Sequence, residues 1–196
     1  VLKAITDVVG SSVALILLGL PMLLIGLLIR RGSPGPALFK QERVGLDGRT
    51  FLCWKFRTMY VDADARRDEL RAAHGDDGAT FKMADDPRIT RIGRFLRRFS
   101  LDELPQLINV WRGDMSLVGP RPHPRDDVER YDDLAVRRLR ARPGMTGLWQ
   151  VRGRSDLSWE ESVRLDLYYV ENWSLSMDFV ILASTVSAVV GGRGAY

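Results

Sequence analysis

The pattern of apolar and charged positions changes abruptly near residue 31. Residues 8–29 carry no charged side chain, and a helix of these 22 residues would be about 33 Å long at 1.5 Å per residue. The hydrocarbon core of a bilayer is about 30 Å thick, so the pattern predicts a membrane-embedded helix. The sequence becomes predominantly polar after Arg30 and Arg31. We therefore expect an embedded segment over residues 1–31 and a membrane-associated domain over residues 32–196.

Pro21 lies in the middle of the apolar run. Proline has no N–H to donate to Leu17 and its ring crowds the preceding turn, so we expect the helix to kink or break there. Composition leaves two arrangements open: a kinked span with the N-terminus outside, and a re-entrant hairpin that enters and leaves on one face. The charged flanks are unequal, because Arg30 and Arg31 follow the run whereas Lys3 is nearly balanced by Asp7.

The polar part opens with the pattern of a β-hairpin. Residues 37–45 and 49–59 are short β-type runs, and the pair Asp47-Gly48 between them is a turn signal. Residues 62–73 are rich in charged side chains and predict a surface helix.

Two later segments predict helices with an apolar face. Residues 88–99 place apolar side chains at helical spacing among five arginines, which indicates a basic amphipathic helix. Such a helix either lies on an anionic bilayer or packs against a core with its basic face in water, and both interpretations stay open. Residues 179–190 are uncharged but too short to span a bilayer, so they predict a buried or interfacial helix.

Composition narrows the class of protein. The chain has 196 residues, of which 45% are hydrophobic and 28% charged, and this balance is globular rather than disordered or multi-spanning. Cys53 is the only cysteine, so no intrachain disulfide is possible. The net charge of +4 favours anionic partners such as phosphates, acidic lipids or nucleic acid, without choosing between them.

The chemistry of the chain is concentrated between residues 85 and 154. The sequence contains no Walker loop, no Rossmann glycine fingerprint, no HExxH and no paired CxxC, which argues against a zinc site or a Ser-His-Asp triad. The segment instead mixes carboxylates and arginines, which is typical of a site where phosphates meet a hard metal ion.

The centre of this segment is Ser100-Leu101-Asp102-Glu103. Ser100 followed by Glu103 reads as a capping box, in which case both acids decorate the first turn of a helix. The same position also suits catalysis, because a carboxylate at a helix N-terminus stays ionised among N–H groups that attract phosphate. An ionised aspartate that attacks phosphorus would form an acyl phosphate, which is reactive enough to pass its group to a second acceptor.

The run SLDELPQLINVWRGDMSLVGPRP, residues 100–122, resembles the signature of the bacterial monotopic phosphoglycosyl transferases, also called polyprenyl-phosphate hexose-1-phosphate transferases or bacterial sugar transferases. The likeness covers nearly the whole chain. Its other motifs, in the family's order, are SPGPALFKQERVG (33–45), KFRTM (55–59), DPRITRIGRFLR (86–97), RPGMTGLWQVRGR (142–154), DLYYVENWSL (166–175) and the closing GRGAY (192–196).

The resemblance implies an enzyme of the bacterial inner membrane that works on its cytoplasmic face. Members move a sugar 1-phosphate from a UDP-sugar to undecaprenyl phosphate and release UMP, in a reaction that uses Mg²⁺. This transfer starts the synthesis of a surface glycan. The implied partners are the UDP-sugar, undecaprenyl phosphate and anionic inner-leaflet lipid, with no nucleic acid. Neither the sugar, the pathway nor the oligomeric state follows from the sequence.

Carried over by position, the resemblance makes Asp102 the covalent nucleophile and Glu103 its partner, both beside the magnesium ion. Arg121, within Pro120-Arg121-Pro122, fits a fork-shaped donor to phosphate oxygens. Asp126 and Asp133 stand where relatives often carry glutamate. The further substrate-binding candidates are Lys55, Arg57, Arg88, Asp126, Asp133, Gln150, Arg152 and Arg154.

The fold that the resemblance implies is a compact, helix-rich α/β catalytic domain with interfacial amphipathic helices. It also implies that residues 1–31 form a re-entrant helix broken at Pro21, which reverses the preference for a kinked span that composition favours. Two alternatives of other classes are a non-enzymatic module that docks on anionic lipid and a glycosyltransferase that releases UDP. The nucleotide product would separate them.

Overall fold

The computed structural model describes residues 1–66, 86–153 and 157–190, which form a helix-rich α/β fold with an N-terminal apolar helix. The helices are α1 (Leu2–Gly32), α2 (Arg91–Arg98), α3 (Gln106–Arg112), α4 (Arg125–Val128), α5 (Asp133–Val136), α6 (Leu148–Arg152), α7 (Trp159–Asn172) and α8 (Leu175–Val190). The strands are β1 (Leu38–Val44), β2 (Thr50–Phe56), β3 (Ser116–Val118) and β4 (Gly144–Thr146). Most of the charged helix predicted over 62–73, Arg154 and the closing motif lie outside the described residues.

Helix α1 is long and apolar enough to cross a membrane, and its best window has a mean hydropathy of 2.7. Its apolar side chains are largely exposed, among them Ile16, Leu17 and Leu20. Pro21 lies inside the helix and does not end it, so the predicted break at Pro21 is not confirmed. The physical reason is local: proline removes the single hydrogen bond to Leu17, and the turns on either side keep theirs.

Both ends of α1 pack against the rest of the chain. Near the N-terminus, the Asp7 carboxylate accepts hydrogen bonds from β3. Near the C-terminus, Ile29 is buried in a cluster with Phe56 of β2 and Leu96 of α2. The apolar segment therefore begins and ends on one globular body.

The predicted hairpin is confirmed. Strands β1 and β2 are antiparallel, with Val44 opposite Thr50 at the turn and Leu38 opposite Phe56 at the open end. Asp47 and Gly48 form the connection, and both have positive φ angles of 53° and 77°, the left-handed conformation that this residue pair tolerates.

Helix α2 occupies residues 91–98 instead of the predicted 88–99, because the Thr90 side chain caps it by accepting from the Gly93 N–H. The core-packed interpretation holds for one face, since Gly93 and Leu96 are buried. A Cβ at position 93 would lie 2.0 Å from the Thr58 carbonyl oxygen, so only glycine permits this contact. Phe95 and several arginines remain exposed on the other face.

A second two-stranded sheet, which the sequence did not predict, joins β3 and β4 in parallel. Val118 of β3 is buried in a core cluster together with Tyr169 and Ile181. Ile181 belongs to α8, which begins at Leu175, four residues earlier than the predicted apolar segment, and combines this buried position with exposed Phe179.

Candidate active site

Asp102 and Glu103 lie in a short 3-10 turn, Leu101–Glu103, between α2 and α3. The residue before the turn, Ser100, adopts a left-handed conformation with φ 52°, and its side chain caps nothing. The capping box predicted for Ser100 and Glu103 is therefore wrong, because a left-handed Ser100 does not present its hydroxyl to the turn. The chain's capping box is formed elsewhere, by Ser158 and Glu161 at the start of α7. A strained non-glycine residue beside the pair Asp102 and Glu103, called the dyad below, is typical of a functional site.

The Glu103 carboxylate is held by two cations. Lys55 Nζ of β2 donates to Glu103 Oε1 at 2.7 Å, and Arg121 Nη2 donates to the same oxygen at 2.9 Å. Burial would raise the pKa of Glu103, but the charges and hydrogen bonds of Arg121 and Lys55 outweigh burial and hold the pKa well below its usual range. Glu103 is thus ionised and fixed in orientation.

Asp102 is in a different electrostatic state. Within residues 1–66, 86–153 and 157–190 its carboxylate receives no hydrogen bond, although it is only partly exposed. Burial and repulsion by Glu103 raise the pKa of Asp102, while Lys55, Arg97 and Arg121 act in the opposite direction. The dyad therefore pairs a clamped carboxylate with one whose oxygens are not engaged, which suits a nucleophile.

Arg97 is a site residue that the sequence interpretation missed. It was assigned to the basic surface of the amphipathic helix, but in the last turn of α2 its Nε donates to the Thr58 hydroxyl at 2.9 Å. Burial lowers the pKa of Arg97, while the attraction of Asp102 opposes that change. The sequence offered one signal for this role, which is that Arg97 precedes Asp102 by only five residues. A turn between them brings Asp102 back toward the end of α2.

Asn109 joins β2, which carries Lys55, to α3, which follows the turn that carries Glu103. It is completely buried in α3, its Oδ1 accepts from the Trp54 N–H at 3.0 Å, and its Nδ2 donates to the Leu52 carbonyl at 2.8 Å. These bonds attach α3 to β2, so Asn109 holds Lys55 beside the dyad. Sequence interpretation gave Asn109 no role.

The Arg121 side chain projects from a turn that is supported on two sides. Arg43 Nη1 of β1 donates to the Pro122 carbonyl at 3.2 Å, and the Val44 N–H donates to the His123 carbonyl at 2.9 Å. On the other side, the Gly144 N–H donates to the Pro120 carbonyl. Hairpin β1–β2 therefore contributes Lys55 directly and supports the turn that carries Arg121.

Arg57 and Arg88, which were predicted to contact phosphate, instead bind other parts of the protein. Arg57 is buried, and its guanidinium donates to the backbone carbonyls of Ser33, Pro34 and Pro36, which fixes the loop after α1. Arg88 precedes α2 instead of opening it, and it forms a buried ion pair with Asp86 at 2.7 Å. Neither residue contacts the dyad within the part of the chain that the structure describes.

The remaining candidates are not gathered at the dyad in the described ranges. Asp126 and Asp133 lie at exposed positions of the short helices α4 and α5. Gln150 in α6 donates to the Met145 carbonyl at 3.3 Å, and Arg152 is exposed at the end of the same helix. Of the substrate-binding candidates, the structure thus brings Lys55 and Arg121 to Glu103.

Comparison with known proteins identifies the family. A family model described as bacterial sugar transferase matches residues 1–192. The chain is 46% identical over 194 residues to the exopolysaccharide production protein ExoY of Rhizobium meliloti (strain 1021), covering 97% of this chain and 86% of that protein. It is 44% identical over 203 residues to the UDP-glucose:undecaprenyl-phosphate glucose-1-phosphate transferase of Caulobacter vibrioides, covering 99% and 72%. The chain belongs to the bacterial sugar transferase family.

Members of this family differ in length. The undecaprenyl-phosphate galactose phosphotransferase of Salmonella typhimurium is 46% identical over 199 residues, which cover 100% of this chain but only 42% of that relative. The family match includes the dyad, Lys55 and Arg121, as well as α1.

The donor set of this bacterial sugar transferase fits a magnesium ion shared with a substrate. No group of three or more Asp, Glu, His or Cys side chains with metal-binding geometry occurs in the described residues. Mg²⁺ does not need such a cage, because it is commonly held by one or two carboxylates together with substrate phosphates and water. Asp102, whose oxygens accept no hydrogen bond from the described residues, and Glu103 are the residues that would hold it.

Proposed function

We propose that this protein transfers a hexose 1-phosphate from a UDP-sugar to undecaprenyl phosphate and releases UMP. The observation that carries the proposal is the unengaged Asp102 carboxylate beside a Glu103 that Lys55 and Arg121 hold in place. The Caulobacter relative is named for glucose 1-phosphate transfer and the Salmonella relative for galactose phosphate transfer, both to undecaprenyl phosphate, and they support this reaction class.

In the first half-reaction an Asp102 oxygen attacks the sugar-bearing phosphorus of the donor. A bond forms between that oxygen and phosphorus, and the bond from phosphorus to the bridging oxygen breaks. The electron pair leaves with the bridging oxygen on UMP, so no proton transfer is required. Lys55, Arg97 and Arg121 interact favourably with Asp102 in the free protein and would stabilise the negative charge that moves to the leaving phosphate.

In the second half-reaction a phosphate oxygen of undecaprenyl phosphate attacks the phosphosugar on Asp102. The new oxygen–phosphorus bond gives a lipid diphosphate sugar, and the aspartyl–phosphorus bond breaks to restore the carboxylate. Bound magnesium would supply charge neutralisation for the phosphates at Asp102 and Glu103. Arg121 offers a planar pair of donors, the geometry that suits two phosphate oxygens.

The path of α1 supports a re-entrant arrangement in the bacterial inner membrane, with the catalytic body on the cytoplasmic face. A straight span would place the two ends of the apolar segment about 30 Å apart across the hydrocarbon core. Asp7 and Ile29 instead contact the same body, although they flank that segment. A bend at Pro21 within one leaflet satisfies both contacts.

Exposed apolar and basic side chains support contact with anionic inner-leaflet lipid. Phe95 on α2 and Phe179 on α8 are each more than half exposed, which is costly in water but favourable at a bilayer interface. Arg91, Arg94 and Arg98 are exposed on the same helix as Phe95. We propose that α2 and α8 lie at the interface and keep the dyad at the depth of the acceptor phosphate.

The test incubates the purified chain in detergent with UDP-glucose or UDP-galactose and Mg²⁺ but without acceptor. The parent should release up to one equivalent of UMP and carry the phosphosugar on Asp102, detected by intact-protein and peptide mass spectrometry. Asp102→Asn removes the ionised oxygen at constant size, so UMP release should vanish. Asp47→Asn, on an exposed turn, is the matched control and should behave like the parent. Turnover by Asp102→Asn would overturn the covalent route, and release of UDP would indicate an ordinary glycosyltransferase.

A further inference from the structure

The first two turns of α1 carry charged side chains that point into the protein. Asp7 is only 3% exposed, although it immediately precedes the uncharged segment. Its Oδ1 accepts from the Ser116 hydroxyl and from the Leu117 N–H, both at 3.0 Å. A membrane anchor needs no such contact, because apolar length alone retains a helix in a bilayer. These bonds fix strand β3 instead.

Lys3 extends the same network to α8. Its Nζ donates to the Val118 carbonyl at 3.0 Å and to Asp178 Oδ2 at 2.7 Å. Asp178 is 3% exposed and also accepts from the Tyr169 hydroxyl at 2.7 Å and from Trp173 Nε1 at 3.2 Å. The Tyr169 hydroxyl lies 2.9 Å from the Val118 carbonyl as well. The carbonyl of Val118 is therefore contacted by groups from α1 and α7.

Val118 stands three residues before Arg121. Beyond β3 the chain continues as Gly119-Pro120-Arg121, and two backbone bonds hold this segment against β4: the Gly119 N–H donates to the Thr146 carbonyl, and the Gly144 N–H donates to the Pro120 carbonyl, both at 2.9 Å. A displacement of Val118 is thus transmitted to the guanidinium that bonds Glu103 at 2.9 Å.

We propose that Lys3 and Asp7 are positioning residues that orient Arg121 through strand β3, so that the N-terminal turns of α1 belong to the catalytic machinery as well as to the anchor. This inference rests on the proposed function. It assigns the orienting role to side chains that touch neither substrate nor dyad. A displacement of about 1 Å in a charged donor such as the Arg121 guanidinium can lower the rate on the order of 100-fold. A small shift of β3 is therefore sufficient to impair the reaction.

The experiment measures UMP release by the 196-residue chain in detergent without lipid acceptor, which separates the orienting role from any role in reaching undecaprenyl phosphate. Asp7→Ala removes both bonds to β3 and should lower the single-turnover rate constant of UMP release about tenfold or more, with a smaller change in the UDP-sugar concentration that gives half the maximal rate. Asp7→Asn keeps an oxygen acceptor and should retain most of the activity. Thr6→Val is the control, because the Thr6 hydroxyl donates to the Leu2 carbonyl of its own helix and has no other partner in the part of the chain that the structure describes.

A double-mutant cycle with Arg121→Met distinguishes orientation from general stability. If Asp7 acts through Arg121, Asp7→Ala should change the single-turnover rate constant less than about twofold in the Arg121→Met background, whereas independent effects would multiply. Tyr169→Phe, which deletes a contact to Val118 without a large cavity, gives the same cycle if Asp7→Ala does not fold. A multiplicative cycle, or an Asp7→Ala variant whose single-turnover rate constant equals that of the parent, overturns the inference. A parent that releases no UMP overturns the proposed function itself, and the inference with it.

Discussion

Lys55 Nζ lies 2.7 Å from Glu103 Oε1, although the two residues are 48 positions apart in the sequence. Lys55 is carried by a hairpin strand and Glu103 by the turn before α3, and completely buried Asn109 attaches α3 to that strand. The consequence is electrostatic. Lys55 helps to keep Glu103 ionised and also attracts Asp102, so one ammonium group serves both carboxylates.

Replacing Lys55 by Met should therefore impair the first half-reaction. A hydrogen bond to a charged group contributes about 1.5–3 kcal/mol, which predicts a loss of about 10- to 100-fold in kcat/KM for UMP release. Lys55→Arg keeps the charge and should lose less. Lys40→Met is the matched control, because Lys40 lies on the paired strand over the Trp54 ring and is exposed. Equal activity of Lys55→Met and the parent would contradict the role given to this pair.

The pH dependence of UMP release should report on Asp102. Burial and repulsion by Glu103 raise the pKa of Asp102, and the nucleophile must be ionised, so activity is lost on acidification at a higher pH than an ordinary aspartate would give. Glu103→Gln removes the repulsion and lowers the pKa of Asp102. Its residual activity should therefore persist to lower pH than that of the parent, as measured by single-turnover rates from about pH 4 to about pH 8, a range that begins near the ordinary pKa of aspartate. An unchanged or opposite displacement would argue against Asp102 as the titrating group.

Local patterns predicted the local structure well. The apolar run, the Asp47-Gly48 hairpin and the basic helix near residue 90 are all present, because each depends on residues close together in the sequence. The parallel pair β3–β4 was not predicted, since its strands have three residues each and owe their stability to partners elsewhere in the chain.

The candidate site was predicted in part. The resemblance supplied Asp102, Glu103 and Arg121, but their environment depends on tertiary contacts that periodicity does not encode. Arg57 was expected at a phosphate and instead binds three backbone carbonyls, because a guanidinium with five donors also suits a crowded loop. Arg97 was expected on the basic face of its helix and instead donates to the Thr58 hydroxyl.

Gly93 should tolerate no side chain. A Cβ there would lie 2.0 Å from the Thr58 carbonyl oxygen, and backbone must move to relieve that overlap. Gly93→Ala should cost about 3 kcal/mol or more of folding free energy despite the better helix propensity of alanine. Arg94 is exposed on the same helix, so Arg94→Ala serves as the control and should leave the melting temperature nearly unchanged. Circular dichroism in detergent gives both values, and equal melting temperatures for the two variants would show that the contact with Thr58 is not rigid.

Removal of divalent cations should abolish UMP release. The proposed ion is shared between the dyad and the donor phosphates, and hard Mg²⁺ prefers such oxygen ligands. A chelator should therefore stop the reaction, and excess Mg²⁺ should restore it. Asp102→Asn should also bind Mn²⁺ more weakly in the presence of UDP, as seen by paramagnetic relaxation. Full activity in the chelator would remove the metal from the mechanism.

Pro21→Ala tests the arrangement of α1 in the membrane. The substitution restores the donor to Leu17 and permits a straight apolar helix of about 33 Å, which is long enough to cross the bilayer. Arg30 and Arg31 favour a cytoplasmic position for the C-terminal end, so we expect a spanning form to place its N-terminus outside. Reaching that form requires the Lys3–Asp178 ion pair to break, so only part of the population should convert.

The readout is labelling of intact cells with an impermeant thiol reagent, after Cys53→Ser and the addition of one cysteine ahead of Val1. The Pro21 parent should not be labelled, and Pro21→Ala should be labelled in part and lose activity, because a spanning α1 withdraws Asp7 from β3. Leu20→Ala, a change at the exposed neighbouring position, keeps the proline and should remain unlabelled. A parent labelled from outside would instead support the kinked span, in which the contacts of Lys3 and Asp7 with the cytosolic body are impossible.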